Sequence, residues 1–141
     1  MRVLFGVLCL IAGLLYLGQL ISVVNFSLAR RLGLQESTDH TDPIFSYLEL
    51  WTARWDLWVL WILPAAGILL LIDHWLWPYA AMIGGGASLD TGGREAAKVL
   101  GLKGKGVRVG SRFEFLSAMA AYIFLIAAGV IAFGIGLFEA I

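Results

Sequence analysis

The chain has 141 residues, of which 60% are hydrophobic and 14% are charged, and its formal net charge is zero. Soluble domains are about 45–50% apolar and about 25% charged, so this composition is typical of a membrane protein. The balanced charge argues against nucleic acid as a partner, because the chain has no net positive charge to neutralise phosphates. The length is that of one domain, so we expect residues 1–141 to form a single membrane domain.

The first apolar run covers residues 3–24. It is long enough to cross a bilayer, since about 20 apolar residues span a hydrocarbon core about 30 Å thick. It is longer than the apolar region of a secretory signal peptide, and no small-residue cleavage pattern closes it, so we predict a retained transmembrane helix. The basic pair Arg30-Arg31 that follows is typical of a cytoplasmic flank. Cys9, the only cysteine, is expected to be a small buried apolar residue.

The second apolar run follows a polar stretch, residues 32–42, which we predict to be a loop. Asp42 and Pro43 then have the residue types of a helix start, because an aspartate can cap free N–H groups and proline suits the first helical position. We place the second transmembrane helix at about residues 50–72. Pro64 lies inside it and should kink it.

The second half of the chain contains two further candidate helices. Residues 73–79 combine an aspartate, a histidine and three aromatic residues around a proline, which is typical of an interfacial turn. A third helix is predicted at about residues 78–100, although charged residues enter it from Asp90 onwards. A basic, glycine-rich loop over residues 101–112 follows, and the last helix is predicted at about residues 113–138.

Two topologies are compatible with these segments. A small all-α bundle of four transmembrane helices running up and down places most basic residues on one side of the membrane, and the positive-inside rule favours it. The alternative has three transmembrane helices, with residues 84–112 as one cytoplasmic segment. Arg2, which the four-helix topology leaves outside, is the main argument against that topology. In both cases the loop 101–112 is cytoplasmic and the C-terminus is outside, and we expect a bacterial cytoplasmic membrane.

Five residues are candidates for a ligand-binding site. Asp90 and Arg94 can touch, because positions i and i+4 are neighbours on a helix. In the four-helix topology a carboxylate at position 90 lies deep in the bilayer, where it is costly unless it is paired or near water. The pair therefore either neutralises itself or forms a polar, proton-accessible niche. Trp51, Trp55 and Trp58 share one helix face, which serves either as a membrane anchor or as a groove for a lipid, quinone or pigment.

Basic residues near the last loop form a candidate surface for anionic lipid headgroups. Each contributes about 1 kcal/mol near such a surface. They are Lys98, Lys103, Lys105, Arg108 and Arg112. His40 and His74 face opposite membrane surfaces in either topology, which excludes a shared haem. The sequence contains no catalytic, metal-binding or cofactor-binding motif.

The function indicated by these patterns is non-catalytic. We expect an accessory or structural subunit that packs against membrane partners or against itself, because the last two helices are rich in small residues that let transmembrane helices approach closely. The alternative is a binder or carrier of a small hydrophobic or anionic molecule, with the Asp90–Arg94 pair and the tryptophan face as its site. A membrane enzyme is disfavoured because no catalytic set is present. The expected partners are the lipid bilayer and other membrane subunits.

Overall fold

A computed structural model describes residues 2–141, and 83% of the chain is helical with no strand in the described part. The α-helices are α1 (Arg2–Val24), α2 (Phe26–Arg31), α3 (Pro43–Val59), α4 (Ile62–Leu71), α5 (Trp77–Gly104) and α6 (Arg112–Ala140). Because α3 and α4 follow each other with only a short break, they act as one unit, here called the α3–α4 leg. The bundle thus has four helical legs, and the predicted all-α architecture is confirmed.

Three segments of this bundle are long and apolar enough to cross a membrane. They are Arg2–Val24, Pro43–Leu71 and Arg112–Ala140. α5 has 28 residues and so has a comparable length, but its second half carries several charged residues. By length and composition, three parts of the bundle could therefore cross a membrane: α1, the α3–α4 leg and α6.

The break in the α3–α4 leg is explained by Pro64. Proline has no N–H to donate, and its ring crowds the carbonyl of the residue four positions earlier, which is Leu60. α3 accordingly ends at Val59, and α4 begins at Ile62. The leg begins at Pro43, the first helical position, which is seven residues before the predicted boundary at residue 50.

α5 and α6 pack in antiparallel orientation over most of their length. Glycines make this approach close: a Cβ atom placed at Gly85, Gly92 or Gly136 would lie 2.5–2.7 Å from a backbone atom of the facing helix. The contacts run from Pro78 beside Gly136 to Gly92 beside Tyr122. This is the close packing of small residues that favours association of helices in a membrane.

Two loops meet at one end of the bundle, here called the loop end. Thr41, before α3, forms an isolated antiparallel β-bridge with Val109, before α6. The Asp42 carboxylate accepts hydrogen bonds from the backbone N–H of Arg108 at 2.7 Å and from its Nε at 3.1 Å. Asp42 therefore stands before α3 without capping it through its side chain, and instead ties the two loops together.

The opposite end of the bundle, here called the turn end, contains the short connection between α4 and α5. Arg2 Nη1 lies 3.3 Å from Asp73 Oδ1 there. Since successive legs run between the loop end and the turn end, the bundle has up-and-down connectivity. His40 lies at the loop end and His74 at the turn end, so the two histidines are at opposite ends of the bundle.

Two apolar clusters form the core of the bundle. The larger one, towards the turn end, includes Phe5, Cys9, Leu63 and Trp77 from three of the legs. The smaller one, towards the loop end, is built by Phe45, Val99 and Val109 with partly buried neighbours from α5 and α6. The stretch of α3 and α5 between these clusters is where the buried charged residues lie.

Candidate functional site

Five charged side chains of α3 and α5 form a continuous set of ion pairs, here called the charge network. α3 contributes Glu49 and Asp56, and α5 contributes Arg94, Glu95 and Lys98. All three acidic residues are buried, and Asp56 exposes only 1% of its surface. Because unpaired charges are very costly in an apolar interior, each of these groups needs its partners.

Arg94 joins α5 to α3 at one end of the charge network. Its Nη2 donates to Asp56 Oδ1 at 2.6 Å, and its Nη1 donates to Glu95 Oε1 at 2.6 Å. The Thr91 hydroxyl also donates to Asp56 Oδ1, at 3.3 Å. Asp90 lies beside the network rather than in it: its Oδ2 is 3.6 Å from Arg94 Nε, and its side chain is 71% exposed. The predicted Asp90–Arg94 pair therefore exists, but the shortest contacts of the guanidinium point inward.

Lys98 joins the same two helices at the other end of the charge network. Its Nζ lies 2.7 Å from Glu49 Oε1, contacts Glu95 Oε2, and donates to the Thr52 hydroxyl at 3.1 Å. Its side chain is only 15% exposed. Lys98 is predicted above as a headgroup contact, but its ammonium lies inside the bundle, because the carboxylates of α3 and α5 attract it there.

The charge network contains three carboxylates and two cations. With every group ionised it therefore carries one excess negative charge. Asp56 Oδ2 is buried, and it has no hydrogen-bond partner among residues 2–141. Glu49 Oε1 also has no hydrogen-bond partner among these residues, but it lies 2.7 Å from Lys98 Nζ, whereas neither cation of the network pairs with Asp56 Oδ2. A buried carboxylate oxygen without a partner loses its hydration and gains nothing in return, so Asp56 is the least satisfied member of the network.

The charge network reaches deep into the bundle. Asp56 lies 13 residues after Pro43, which corresponds to about 20 Å along a helix. This is near the middle of the 29-residue segment Pro43–Leu71 that has spanning character. Ionisable groups at such depth are rare in membrane helices and are typical of functional sites.

Glu36 stands between the charge network and the loop end. Burial raises the pKa of Glu36 to about 7, and the negative charge of Glu49 adds to that rise. A cavity of about 230 Å³ between the loop and the start of α6 is lined by Glu36, Glu114 and Ser117. Glu36 therefore changes its charge near neutral pH, beside a cavity and within electrostatic reach of the network.

The tryptophan face lies on the side of α3 opposite to the charge network. Trp51, Trp55 and Trp58 are all exposed, and Trp58 is 77% exposed. Residues two turns apart on a helix share a face. Glu49 and Asp56, the two buried acidic residues of α3, share such a face, and it is turned towards α5. The structure therefore brings Arg94 together with Asp56 but does not bring either of them to the tryptophan face.

The four other predicted headgroup contacts remain on the surface near the loop end. They are Lys103, Lys105, Arg108 and Arg112. Arg108 donates hydrogen bonds to the Asp42 carboxylate from its backbone N–H and from its side chain. These two bonds, the backbone one most strongly, lower the pKa of Asp42. Arg108 thus also links the two loops at the loop end through Asp42, whereas the other three cations do not contact Asp42.

Glu49, Asp56 and Glu95 are functional candidates that sequence reasoning does not single out. Glu49 and Asp56 are seven residues apart, so they share one face of a helix that is otherwise apolar and aromatic. Arg94 and Lys98 are four residues apart, so they share one face of α5. A search for oppositely charged faces on two neighbouring helices would have found the pair of stripes.

Comparison with models of protein families, with curated proteins and with solved structures finds no match for this chain. Within residues 2–141, no three His, Cys, Asp or Glu side chains form a group that could hold a metal ion. Carboxylates can bind and release protons, and the two cations can hold them in position.

Proposed function

We propose that this chain is a non-catalytic membrane subunit whose four legs all cross the bilayer, and that it binds another transmembrane helix through an outward face of α5. The partner helix belongs either to another membrane protein or to a second copy of the chain. The loop end with its basic residues faces the cytoplasm of a bacterial cell, and the C-terminus lies outside.

The membrane position of α5 is supported by its packing and by where its charges point. α5 lies along α6, which has spanning character, over most of its length. Arg94, Glu95 and Lys98 turn towards the acidic residues of α3 and are therefore shielded from lipid. A helix with low overall hydropathy can occupy a bilayer when its charged residues are paired inside a bundle.

The observation that carries the proposed function is the outward position of Asp90. It lies 13 residues after Trp77, near the middle of α5, and its side chain is 71% exposed. An aspartate at the centre of a membrane helix is unfavourable by about 2.5–3.5 kcal/mol on insertion scales. A second helix that offers a hydrogen-bond donor would remove most of this penalty.

The surface around Asp90 suits a second helix. Gly86 and Gly93 lie one turn on either side of it, and a Cβ atom at either glycine would meet nothing within 4 Å. Helices associate in membranes through close approach of their backbones and through interhelical hydrogen bonds. The small residues at this surface allow the first, and the polar residue between them allows the second.

The tryptophan face supports the same function. Trp58 lies 15 residues after Pro43, close to the middle of the α3–α4 leg. Tryptophans that anchor a protein to the membrane lie at headgroup level, so the depth of Trp58 suits contact with protein better than it suits anchoring. Tryptophan is also enriched among residues that dominate binding energies at interfaces.

Native mass spectrometry from mild detergent tests the proposal. We expect the wild-type chain to appear as an oligomer or with a co-purified membrane protein. Gly93→Leu should reduce the assembled fraction at least tenfold, because a bulky side chain prevents the close approach of the partner helix. Gly134→Leu, on a surface of α6 that is equally open, is the matched control. A strictly monomeric wild-type protein without any partner would contradict the proposal.

A second candidate function, binding of a lipid-like molecule, is favoured by a groove between α1 and α4. The groove has a volume of about 860 Å³ and an apolar lining that includes Gly6, Gly13 and Pro64, with Arg2 at its turn end. Ligand pockets commonly have volumes of about 300–1,000 Å³ and combine apolar walls with few polar groups. An acyl or prenyl chain with an anionic end fits this chemistry.

Filling the groove tests this second function. Gly6→Leu places a side chain in the groove, because a Cβ atom at this position meets nothing within 4 Å. We expect a co-purified lipid-like molecule in native mass spectra of the wild type and its loss from the variant. Retention of the same molecule by Gly6→Leu would rule out the groove as its site.

A further inference from the structure

We propose that the charge network binds one exchangeable proton at Asp56 and that this proton equilibrates with water at the loop end through Glu36. The inference goes beyond the subunit function and does not depend on whether the chain assembles with a partner. Its ligand is the proton itself, and its site is a set of side chains between α3 and α5.

The charge balance of the network supplies the first argument. Three buried carboxylates face two cations, so the fully ionised network has one negative charge too many. An uncompensated charge in a low-dielectric interior is costly, and groups in such places neutralise instead. One proton on Asp56 makes the network neutral, and each cation still has an ionised partner: Arg94 pairs with Glu95, and Lys98 pairs with Glu49 and Glu95.

The position of the proton follows from the hydrogen bonds of Asp56. Its Oδ1 accepts from Arg94 and from Thr91, whereas its buried Oδ2 has no partner in the described part of the chain. A proton on Oδ2 therefore disturbs no existing hydrogen bond. The oxygens of Glu95 contact both cations, so a proton on this residue would weaken two ion pairs. Glu49 Oε1, which also has no hydrogen-bond partner among the described residues, already lies 2.7 Å from Lys98 Nζ.

The charged groups that surround Asp56 are mostly acidic, so they do not provide the missing positive charge. α5 contributes Asp90, Arg94, Glu95 and Lys98, and α3 contributes Glu49. On α6, Tyr122 lies within electrostatic reach of the acidic members. α1 carries no charged residue after Arg2, and α4 carries none. The excess negative charge is therefore a property of the whole interior at this level.

The route for the proton is a series of carboxylates that leads from the loop end to Asp56. Glu36 lines the cavity of about 230 Å³ and lies within electrostatic reach of Glu49. Lys98 contacts both Glu49 and Glu95, and Arg94 donates to both Glu95 and Asp56. The two cations keep their own protons and hold the carboxylates in sequence, and the transferred proton moves between the carboxylates. Hydronium at the loop end transfers a proton to the Glu36 carboxylate: an O–H bond of hydronium breaks, an O–H bond forms on Glu36, and a water molecule remains. The proton ends on Asp56 Oδ2, and Glu36 regains its negative charge.

Infrared difference spectroscopy of the full chain in lipid bilayers measures this proton directly, because a protonated carboxyl group has a C=O stretching band that a carboxylate lacks. We expect the wild type at pH 7 to show such a band from a group shielded from water. Glu36, with a pKa of about 7, is half protonated at this pH and adds a band of its own. Asp56→Asn should therefore remove the band that persists in Glu36→Gln, and Asp39→Asn, in the exposed loop, should leave it unchanged. Absence of the band from the wild type at pH 7 would overturn the proposal.

A second variant covers the case in which Asp56→Asn does not fold. Thr91→Val keeps the shape of the side chain but removes the hydroxyl that donates to Asp56 Oδ1, so it should shift the frequency of the band. A band that keeps its frequency in Thr91→Val would show that the proton is not on Asp56 and would overturn the assignment.

The exchange rate tests the route. After transfer from H₂O to D₂O, the carboxyl band shifts as the proton is replaced by a deuteron. Glu36→Gln should slow this shift at least tenfold, because an amide cannot accept and pass on the proton. Exchange at the wild-type rate in Glu36→Gln would show that the entry through Glu36 is wrong.

Discussion

Arg94→Ala is the substitution that tests most directly how the charge network stabilises the bundle. It removes the guanidinium that contacts Asp56 and Glu95 at 2.6 Å each, so both buried side chains lose a charged hydrogen-bond donor. Breaking a buried ion pair by removing one partner destabilises proteins by about 3–5 kcal/mol. The Arg94 side chain is one-third exposed, so solvent screening lowers the expected loss to about 3 kcal/mol.

The free energy of unfolding in mild detergent, measured for the single variants and for the double variant, provides the assay. Arg31→Ala, at an exposed position of α2, is the control and should change stability by less than about 0.5 kcal/mol. Combining Arg94→Ala with Asp56→Ala should recover at least about 1 kcal/mol relative to the sum of the single effects, since the double variant leaves fewer unpaired charges. A loss no larger than that of Arg31→Ala would refute the view that Arg94 neutralises buried acids.

Three further predictions follow from the packing, from Glu36 and from the topology. Gly92→Leu should destabilise the bundle by about 1–3 kcal/mol in thermal unfolding, because its Cβ would lie 2.7 Å from a carbonyl oxygen of α6, whereas Gly134→Leu meets open space and should not; equal effects would contradict the packing. Folding raises the pKa of Glu36 from 4.5 to about 7, so the folded state binds the extra proton and stability should fall as pH rises through this interval. Glu36→Gln should weaken that slope, and an unchanged slope would contradict the assignment. In intact cells, His74→Cys should react with an impermeant thiol reagent from outside and His40→Cys only from the cytoplasm, whereas the three-helix topology predicts the reverse.

Several local features could be predicted from the sequence because they depend on neighbours in the chain. Pro43 begins α3 and Pro64 interrupts the leg, since the geometry of proline acts on the residues next to it. Asp90 and Arg94 touch because a helix brings i and i+4 together. The start of the second helix was harder to predict, because the apolar stretch is shorter than the helix that contains it.

The charge network could not be predicted in the same way. Arg94 and Asp56 are 38 positions apart, and Lys98 and Thr52 are 46 apart, so no local pattern indicates that they meet. The assignment of Lys98 to a lipid-facing surface followed from its distance to the basic loop along the chain. Which side of the helix it occupies depends on how α5 rotates against α3 and α6, and the close glycine contacts of α5 decide that rotation.

The amino-acid order alone therefore determined the helices and which of them are long and apolar enough to cross a membrane, because a long apolar run that forms a helix satisfies its backbone hydrogen bonds within itself. The tertiary structure alone decided which charges became neighbours. It turned Arg94 inward to Asp56, left Asp90 on the outer face, and separated both from Trp58. The physical reason is that helix formation depends on hydrogen bonds within about one turn of the chain, whereas pairing of buried charges depends on how whole helices pack against each other.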